Sequence, residues 1–289
     1  MAFVQIFVAD VQMSHDSTIT SGLPGAEIAI QQHFEMLSSA TVGAMFVGSS
    51  LAFSLLNAAL RKSPPDEKFV APAKRHKWRN EVCSLTHAVV VAFGAVHCWT
   101  MLPPGGSTQK DVSYLREAEV FGAISSGYYL YDFADLMLHN SLARVTGLCV
   151  HHVVGIGCFY TAYALGRFYD CCVYCMLVHF AGIFLHLRIL MVMHGMDKGH
   201  PIYRANSLVN VVAFATFRLG IMFYVLALVL AEPGLGAIAR VITAVLTGGL
   251  VLLNVVLFKR LVVSDVLPLV TGSSPASAKK KDDNILDTT

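Results

Sequence analysis

The chain has 289 residues, of which 55% are hydrophobic and 14% charged, and its mean hydropathy is +0.59. Soluble domains carry about a quarter charged residues, so this composition excludes an ordinary soluble protein. No nucleic-acid-binding motif accompanies the formal net charge of +2, and no nucleic-acid partner is predicted. We therefore predict an all-α polytopic membrane protein.

Seven mostly apolar windows are long enough to cross a hydrocarbon core of about 30 Å. They lie near residues 36–60, 82–102, 119–139, 148–166, 171–194, 207–231 and 236–258. Lys and Arg are absent before the first window and are concentrated in the loop that follows it. Because cytosolic loops carry the excess of Lys and Arg, we predict a non-cytosolic N-terminus and a cytosolic tail.

The chain divides into five predicted parts. These are a non-cytosolic N-terminal arm at 1–35, a first transmembrane anchor at 36–60, a basic cytosolic loop at 61–75, a helical core domain at 76–265 and a disordered cytosolic tail at 266–289. Pro64, Pro65 and Pro72 discourage a helix until just before the second span. The anchor is rich in Ala, Ser and Gly, which predicts packing through small residues.

The third window carries a polar stripe. Its members follow each other at steps of three or four residues, so they share one face of a helix. They are Ser125, Tyr128, Asp132, Asp135 and His139. Carboxyl groups inside an apolar span are costly to insert, so this face is predicted to meet other helices or a wet cavity.

Helix direction predicts which other polar residues share the depth of this stripe. The fourth window begins where the third ends, and His151 and His152 lie in its first turns. The next two windows bring His186 and Asn210 to the same, cytosolic, leaflet. We predict one cavity lined by Ser125, Tyr128, His139, His186 and Asn210, with His151, His152, Asp132 and Asp135 as its catalytic groups.

Two arginines lie inside predicted spans. Arg188 is a weaker candidate for the cavity, because it cannot share one helix face with both His179 and His186. Arg218 lies near the middle of the membrane and is expected to pair with an aspartate for stability.

Histidine next to aspartate favours acyl-transfer chemistry. A neutral imidazole can act as a general base or nucleophile, and a carboxylate beside it orients the ring. A site in the cytosolic leaflet could receive acyl-CoA from water and a lipid amine or alcohol from the membrane. Whether the protein is an enzyme stays open, because the same pairs could serve only to satisfy one another between helices.

No metal and no cofactor are predicted from the residues. The histidines lack the HxxxH and HxxHH spacings of di-iron desaturases and hydroxylases. The CCxxC at Cys171, Cys172 and Cys175 has two interpretations: a disulfide to Cys98 or Cys158, or small apolar residues in a span.

Several segments resemble one known family. The run GYYLYDFADLMLHNSLARVTGLCVHHVVG resembles the core of the TLC domain, which ceramide synthases and translocating-chain-associated membrane proteins share. HKWRNEVCSLTHAVV, IFLHLRILM, YRANSLVNVVAFATFRL and LLNVVLFKRLVVSD resemble the branch of TLC domain-containing proteins 1 and 2. The resemblance implies six helices around a lipid-accessible cavity, with the first span outside them. His151 and His152 stand at the paired-histidine position that ceramide synthases require, although the rest of that motif is missing.

For the branch of proteins 1 and 2, the resemblance implies control of phospholipid acyl composition and membrane fluidity. It implies the plasma membrane as the location, with the endoplasmic reticulum as the alternative. The expected partners are membrane lipids, either a phospholipid or a sphingoid base, and acyl-CoA if the protein is an acyltransferase. Two alternatives stay open: a ceramide-synthase-like N-acyltransferase, and a non-catalytic lipid-binding or scaffold protein.

Overall fold

The computed structural model of the chain describes residues 37–62, 71–101, 112–165, 168–231 and 236–267. Nearly all of the predicted N-terminal arm and tail, and most of the basic loop, lie outside these residues. Nine α-helices occur in the described part: α1 (Ser39–Lys62), α2 (Pro72–Thr100), α3 (Val112–His139), α4 (Leu142–Leu165), α5 (Tyr169–Leu177), α6 (His179–Met193), α7 (Pro201–Ala213), α8 (Ile221–Ala231) and α9 (Ala237–Leu261). The all-α polytopic fold is thereby confirmed.

Several of these helices join into longer spans. Only Val178 separates α5 from α6, and the π-helical segments Phe214–Gly220 and Val262–Val266 extend α7 into α8 and lengthen α9. Within the described ranges, six helical stretches are long and apolar enough to cross a membrane: Ser39–Lys62, Pro72–Thr100, Val145–Tyr163, Tyr169–Met193, Pro201–Ala231 and Ala237–Val266. The helix α3, with 28 residues, is not one of the six and carries the polar stripe.

Contacts between helix ends show that neighbouring helices alternate in direction. The first turns of α2 meet the last turns of α3 through His76 and Asp135, and the last turns of α3 meet the first turns of α4 through Asp132 and His152. Each of the seven predicted windows overlaps one helix or joined pair of helices. The polar ends of these spans therefore collect at one end of the bundle.

The helix α2 begins about ten residues earlier than the sequence predicts. We expected Pro64, Pro65 and Pro72 to discourage a helix until just before the second span, whose window begins near residue 82, and for Pro72 this was wrong. Pro72 is the first residue of α2, where its missing N–H is not needed and its fixed φ suits a helix. These early helical turns carry His76 and Asn80 to the polar end of the bundle.

The first helix lies along α3 at the edge of the bundle. Asn57 donates to the Tyr131 hydroxyl at 2.6 Å, and Ser49 donates to the Ile124 carbonyl at 2.8 Å. Gly127 makes this approach possible, because a Cβ there would lie 2.3 Å from the Phe46 carbonyl oxygen. Most of the outer face of α1 stays exposed, as lipid contact requires.

The other end of the bundle is an apolar core. Val91, Ala95, Tyr114, Val173 and Met176 are fully or almost fully buried there. None of the seven cysteines forms a disulfide, so the disulfide interpretation does not hold for this structure. Cys98 belongs to the core cluster and behaves as a small apolar residue.

Candidate functional site

The buried pair of His152 and Asp132 is the centre of the polar cluster. The His152 Nε2 atom lies 2.7 Å from Asp132 Oδ2, and the two residues are only 4% and 3% exposed. The Asn80 amide donates to the other oxygen of the same carboxylate at 2.6 Å. Asp132 thus uses both carboxylate oxygens as acceptors, and this arrangement favours the histidine tautomer with the proton on Nε2.

The second nitrogen of this ring is unpartnered. His152 Nδ1 is buried and has no hydrogen-bond partner among the described residues. When Nε2 donates to Asp132, Nδ1 of the neutral imidazole holds a free lone pair. A buried acceptor without a donor costs free energy, and such a group is worth explaining by function. A hydroxyl or amine entering the site would supply the missing donor.

A second histidine–aspartate group lies next to the first. Asp135 Oδ2 is 2.8 Å from His76 Nε2, and Asp135 Oδ1 is 3.3 Å from His139 Nδ1. The rings of His76 and His139 stack with their centroids 4.1 Å apart. Asn80 also donates to Asp135 Oδ2 at 3.3 Å, so a single amide connects the two aspartates.

Deeper in the bundle the polar stripe continues as an aromatic layer. His87 lies 3.2 Å from the Ser125 hydroxyl and stacks on the Tyr128 ring at a centroid distance of 3.8 Å. Tyr128 donates to the Ser84 hydroxyl at 2.8 Å. Predicted cavity residues Ser125 and Tyr128 are therefore buried and satisfied by side chains of α2.

Three histidines, His151, His152 and His179, lie around Tyr129. Its hydroxyl lies 3.0 Å from His179 Nε2, and its ring centroid is 5.0 Å from that of His152 and 6.0 Å from that of His151. Gly155 allows this packing, because a Cβ there would lie 2.6 Å from the Tyr129 ring. His151 is thus beside the central pair but contacts no aspartate in the described structure.

The other predicted residues take separate positions. His186 pairs with Glu81 at 2.8 Å, away from Asp132. Asn210 is completely buried on α7, and neither of its amide atoms has a hydrogen-bond partner among the described residues. The structure brings together Asp132, Asp135, His139, His152 and, through its ring contacts, His151.

The two arginines inside spans differ in their partners. Arg188 forms a two-pronged ion pair with Asp265, in which Nη2 donates to Oδ1 at 2.6 Å and Nε donates to Oδ2. Arg218 contacts no aspartate in the described residues; its guanidinium lies 5.3 Å from the Phe214 ring centroid, and its Nε has no hydrogen-bond partner. The expectation that Arg218 pairs with an aspartate was therefore wrong.

The site contains residues that the sequence reasoning did not assign to it. They lie on α2 at steps of four, four and three residues: His76, Asn80, Ser84 and His87. This stripe mirrors the one on α3 and has the same helical period, so the signal was present in the sequence. It was missed because the first half of the stripe precedes the apolar window.

An apolar pocket lies apart from the polar cluster. It has a volume of about 430 Å³ and is formed by α2, the α5–α6 pair and the region around the first π-helical segment. Its walls include Trp99, Phe180, Phe217 and Tyr224, and none of the predicted site residues lines it. One of its lining residues, Phe180, follows His179 directly in the sequence.

Comparison with known proteins identifies the family. The family model described as the TLC domain matches residues 77–263, which is more than half of the chain. The chain belongs to the TLC-domain family. TLC domain-containing protein 2 of Danio rerio is 30% identical over 226 residues, which cover 76% of this chain and 89% of the relative. TLC domain-containing protein 1 of Homo sapiens is 27% identical over 229 residues, which cover 78% of this chain and 90% of the relative.

No solved structure matches the chain. The TLC-domain match begins in the early turns of α2 and ends in the second π-helical segment, so it includes Asp132, His152 and Asn80. The helix α1 precedes it. The polar cluster is therefore built almost entirely from the segment that defines the family.

Proposed function

We propose that this TLC-domain protein adjusts the acyl-chain composition of membrane phospholipids, and so membrane fluidity, by acyl transfer at His152. The observation that carries the proposal is the geometry of that ring. Asp132 holds Nε2, while the buried Nδ1 has no hydrogen-bond partner in the part of the chain that the structure describes. A general base needs this arrangement, in which a carboxylate orients the imidazole and the opposite nitrogen is free to accept a proton.

The proposed reaction joins an acyl thioester and a lipid hydroxyl. The hydroxyl oxygen attacks the carbonyl carbon of the thioester while His152 Nδ1 accepts the hydroxyl proton. The carbon–oxygen bond forms and the carbon–sulfur bond breaks. The proton then passes from the imidazolium to the departing thiolate, so the histidine ends the cycle neutral. Asp132 stabilises the imidazolium between these steps.

The surroundings of His152 suit this reaction. Tyr128, Tyr129 and the small residue Gly155 pack around the pair and limit access of water, which would otherwise hydrolyse the thioester. The pair lies near the end of the bundle that the basic residues predict to be cytosolic, where acyl-CoA is available. The apolar pocket, which lies apart from the pair, offers space for an acyl chain. We place this activity in the plasma membrane.

Purified protein in phospholipid vesicles tests the proposal. We expect labelled acyl-CoA to acylate a lysophospholipid, and His152→Ala to lower the rate at least about a hundredfold, the contribution typical of a general base. The control is Ser126→Ala, because Ser126 is buried on the same helix as Asp132 and its hydroxyl has no described partner. Folding of each variant is checked by circular dichroism and gel filtration.

Each other outcome identifies a different function. Acylation of a sphingoid base without acylation of lysophospholipid would replace the proposal with a ceramide-synthase-like N-acyltransferase. A folded His152→Ala variant that restores normal phospholipid chains in cells lacking the protein would show that the pair only supports helix packing. A lipid-binding or scaffold role would then be the better conclusion.

A further inference from the structure

His76, Asp135 and His139 form a second group of donor atoms, distinct from the proposed catalytic pair. One ring nitrogen from each histidine and one carboxylate oxygen lie within 4.8 Å of one another. The residues come from two helices, since His76 and Asp135 are 59 positions apart and His139 is one helical turn beyond Asp135. Short histidine spacings such as HxxxH cannot reveal this group, because its residues come from distant parts of the sequence.

The distances match those of a tetrahedral metal site. Zinc binds imidazole nitrogen at about 2.0–2.1 Å and carboxylate oxygen at about 2.0–2.2 Å, which places two ligands of a tetrahedron roughly 3.4 Å apart. Asp135 Oδ2 lies 2.8 Å from His76 Nε2, and Asp135 Oδ1 lies 3.3 Å from His139 Nδ1, so small side-chain movements would bring one oxygen and two nitrogens to this spacing. A small rotation of the exposed His139 ring would direct one of its nitrogens to the same ion.

The groups around these ligands also fit a metal site. Metal-binding carboxylates and histidines are usually held by further hydrogen bonds that fix their orientation. Asn80 donates to Asp135 Oδ2 at 3.3 Å and so orients this carboxylate. Two imidazoles approach this one carboxylate, so a cation bound at its edge would give all three side chains a common partner.

The position of the cluster allows an ion to enter. The side chains of His76 and His139 are 15% and 39% exposed, and they lie at the open end of the α2–α3 pair, while that of Asp135 is only 8% exposed. Two imidazoles and one carboxylate select zinc-like transition metals over Mg²⁺ and Ca²⁺, which prefer oxygen ligands. We propose that His76, Asp135 and His139 bind one Zn²⁺ ion, leaving a fourth position for water.

This zinc site does not depend on the acyl-transfer proposal, because it is tested without any substrate. Protein in lipid nanodiscs is stripped with a chelator, dialysed and titrated with Zn²⁺ alone by calorimetry. We expect one high-affinity zinc per chain, with affinity falling at acidic pH as the imidazoles take up protons. Replacing bound zinc with Co²⁺ is expected to give the strong visible absorption of a four-coordinate ion.

Three variants make the test specific. His139→Ala removes the most exposed ligand and is expected to leave the fold intact while weakening zinc binding at least about tenfold. His76→Ala is expected to do the same. His97→Ala is the matched control, because His97 is an exposed histidine near the other end of α2 and its removal should change nothing. Equal zinc affinity in the wild type and in His139→Ala, or no stoichiometric binding in the wild type, would overturn the proposal.

Discussion

At the scale of single residues, the hydrogen bond between Asp132 and His152 selects which ring nitrogen carries the proton. An Asp132→Asn substitution keeps the shape of the side chain but can present an N–H to His152 Nε2. The proton would then move to Nδ1, and the ring would lose its free lone pair where a substrate would bind. We expect the acyl-transfer rate to fall at least about a hundredfold while the protein stays folded.

The measurement is the vesicle acylation assay, with Ser126→Ala again as the control on the same helix. An Asp132→Asn variant as active as the wild type would mean that Asp132 does not set the tautomer. Thermal unfolding of the same samples separates this result from a general loss of structure.

Part of this residue-scale picture could be predicted from the sequence. Helical period alone placed Asp132, Asp135 and His139 on one face, and chain direction placed His152 at their depth. Asn80 was missed although its stripe has the same helical period, because the apolar window that located the second span begins after it and says nothing about the polar turns before it. The unpartnered Nδ1 depends on side-chain packing from several helices, which no spacing rule specifies.

At the scale of helices, the ion pair of Arg188 and Asp265 connects α6 and α7 to the segment that follows α9. Asp265 follows α9 and is buried, and it also accepts from Tyr203 at 3.3 Å and Ser207 at 3.1 Å, both on α7. Arg188 comes from α6. Removing one partner of such a pair leaves a buried charge without compensation, which typically costs about 3–5 kcal/mol.

A double-mutant cycle checks this ion pair. We expect Arg188→Met to lower the free energy of unfolding by about 3–5 kcal/mol, and Arg188→Met combined with Asp265→Leu to recover much of that loss. Thermal unfolding in detergent provides the measurement. If the double variant is no more stable than the single one, the pair is not the source of the stabilisation.

Gly127 controls how closely α1 approaches α3. A methyl group at this position would collide with the Phe46 carbonyl and with Ser49 Cβ at 2.7 Å, and backbone cannot move aside as a flexible side chain can. We expect Gly127→Ala to lower the free energy of unfolding by about 1–3 kcal/mol. Gly157→Ala is the control, because a Cβ on that α4 residue meets nothing within 4 Å and should be neutral or stabilising by up to about 1 kcal/mol.

The boundaries of helices were less predictable than the positions of the apolar spans. Hydropathy located each span because an uninterrupted apolar stretch has one stable structure in lipid. It placed the start of α2 too late, since the turns from Pro72 to Asn80 are polar and helical together. The break at Val178 and the two π-helical segments leave no clear trace in a sequence that is apolar on both sides.

At the scale of the whole molecule, alternating spans gather the polar residues at one end. This explains why Asp132, His76, His186 and Asp265 come from four different spans yet all lie near that end. Inserting several charged groups separately would be costly, and pairing them across helices offsets that cost. The side of the membrane that this end faces is a prediction from Lys and Arg distribution alone.

Glycosylation-site insertion tests that orientation. An N-glycosylation acceptor placed in the loop at residues 63–70 should remain unmodified in cells, because the basic residues around it predict a cytosolic location. The same acceptor placed before residue 36 should be glycosylated, which serves as the positive control. If the loop acceptor were modified and the N-terminal one were not, the His152–Asp132 pair would face away from the cytosol. Acyl-CoA could then no longer reach it from the cytosol, and the proposed acyl donor would have to be abandoned even if the pair itself proved essential.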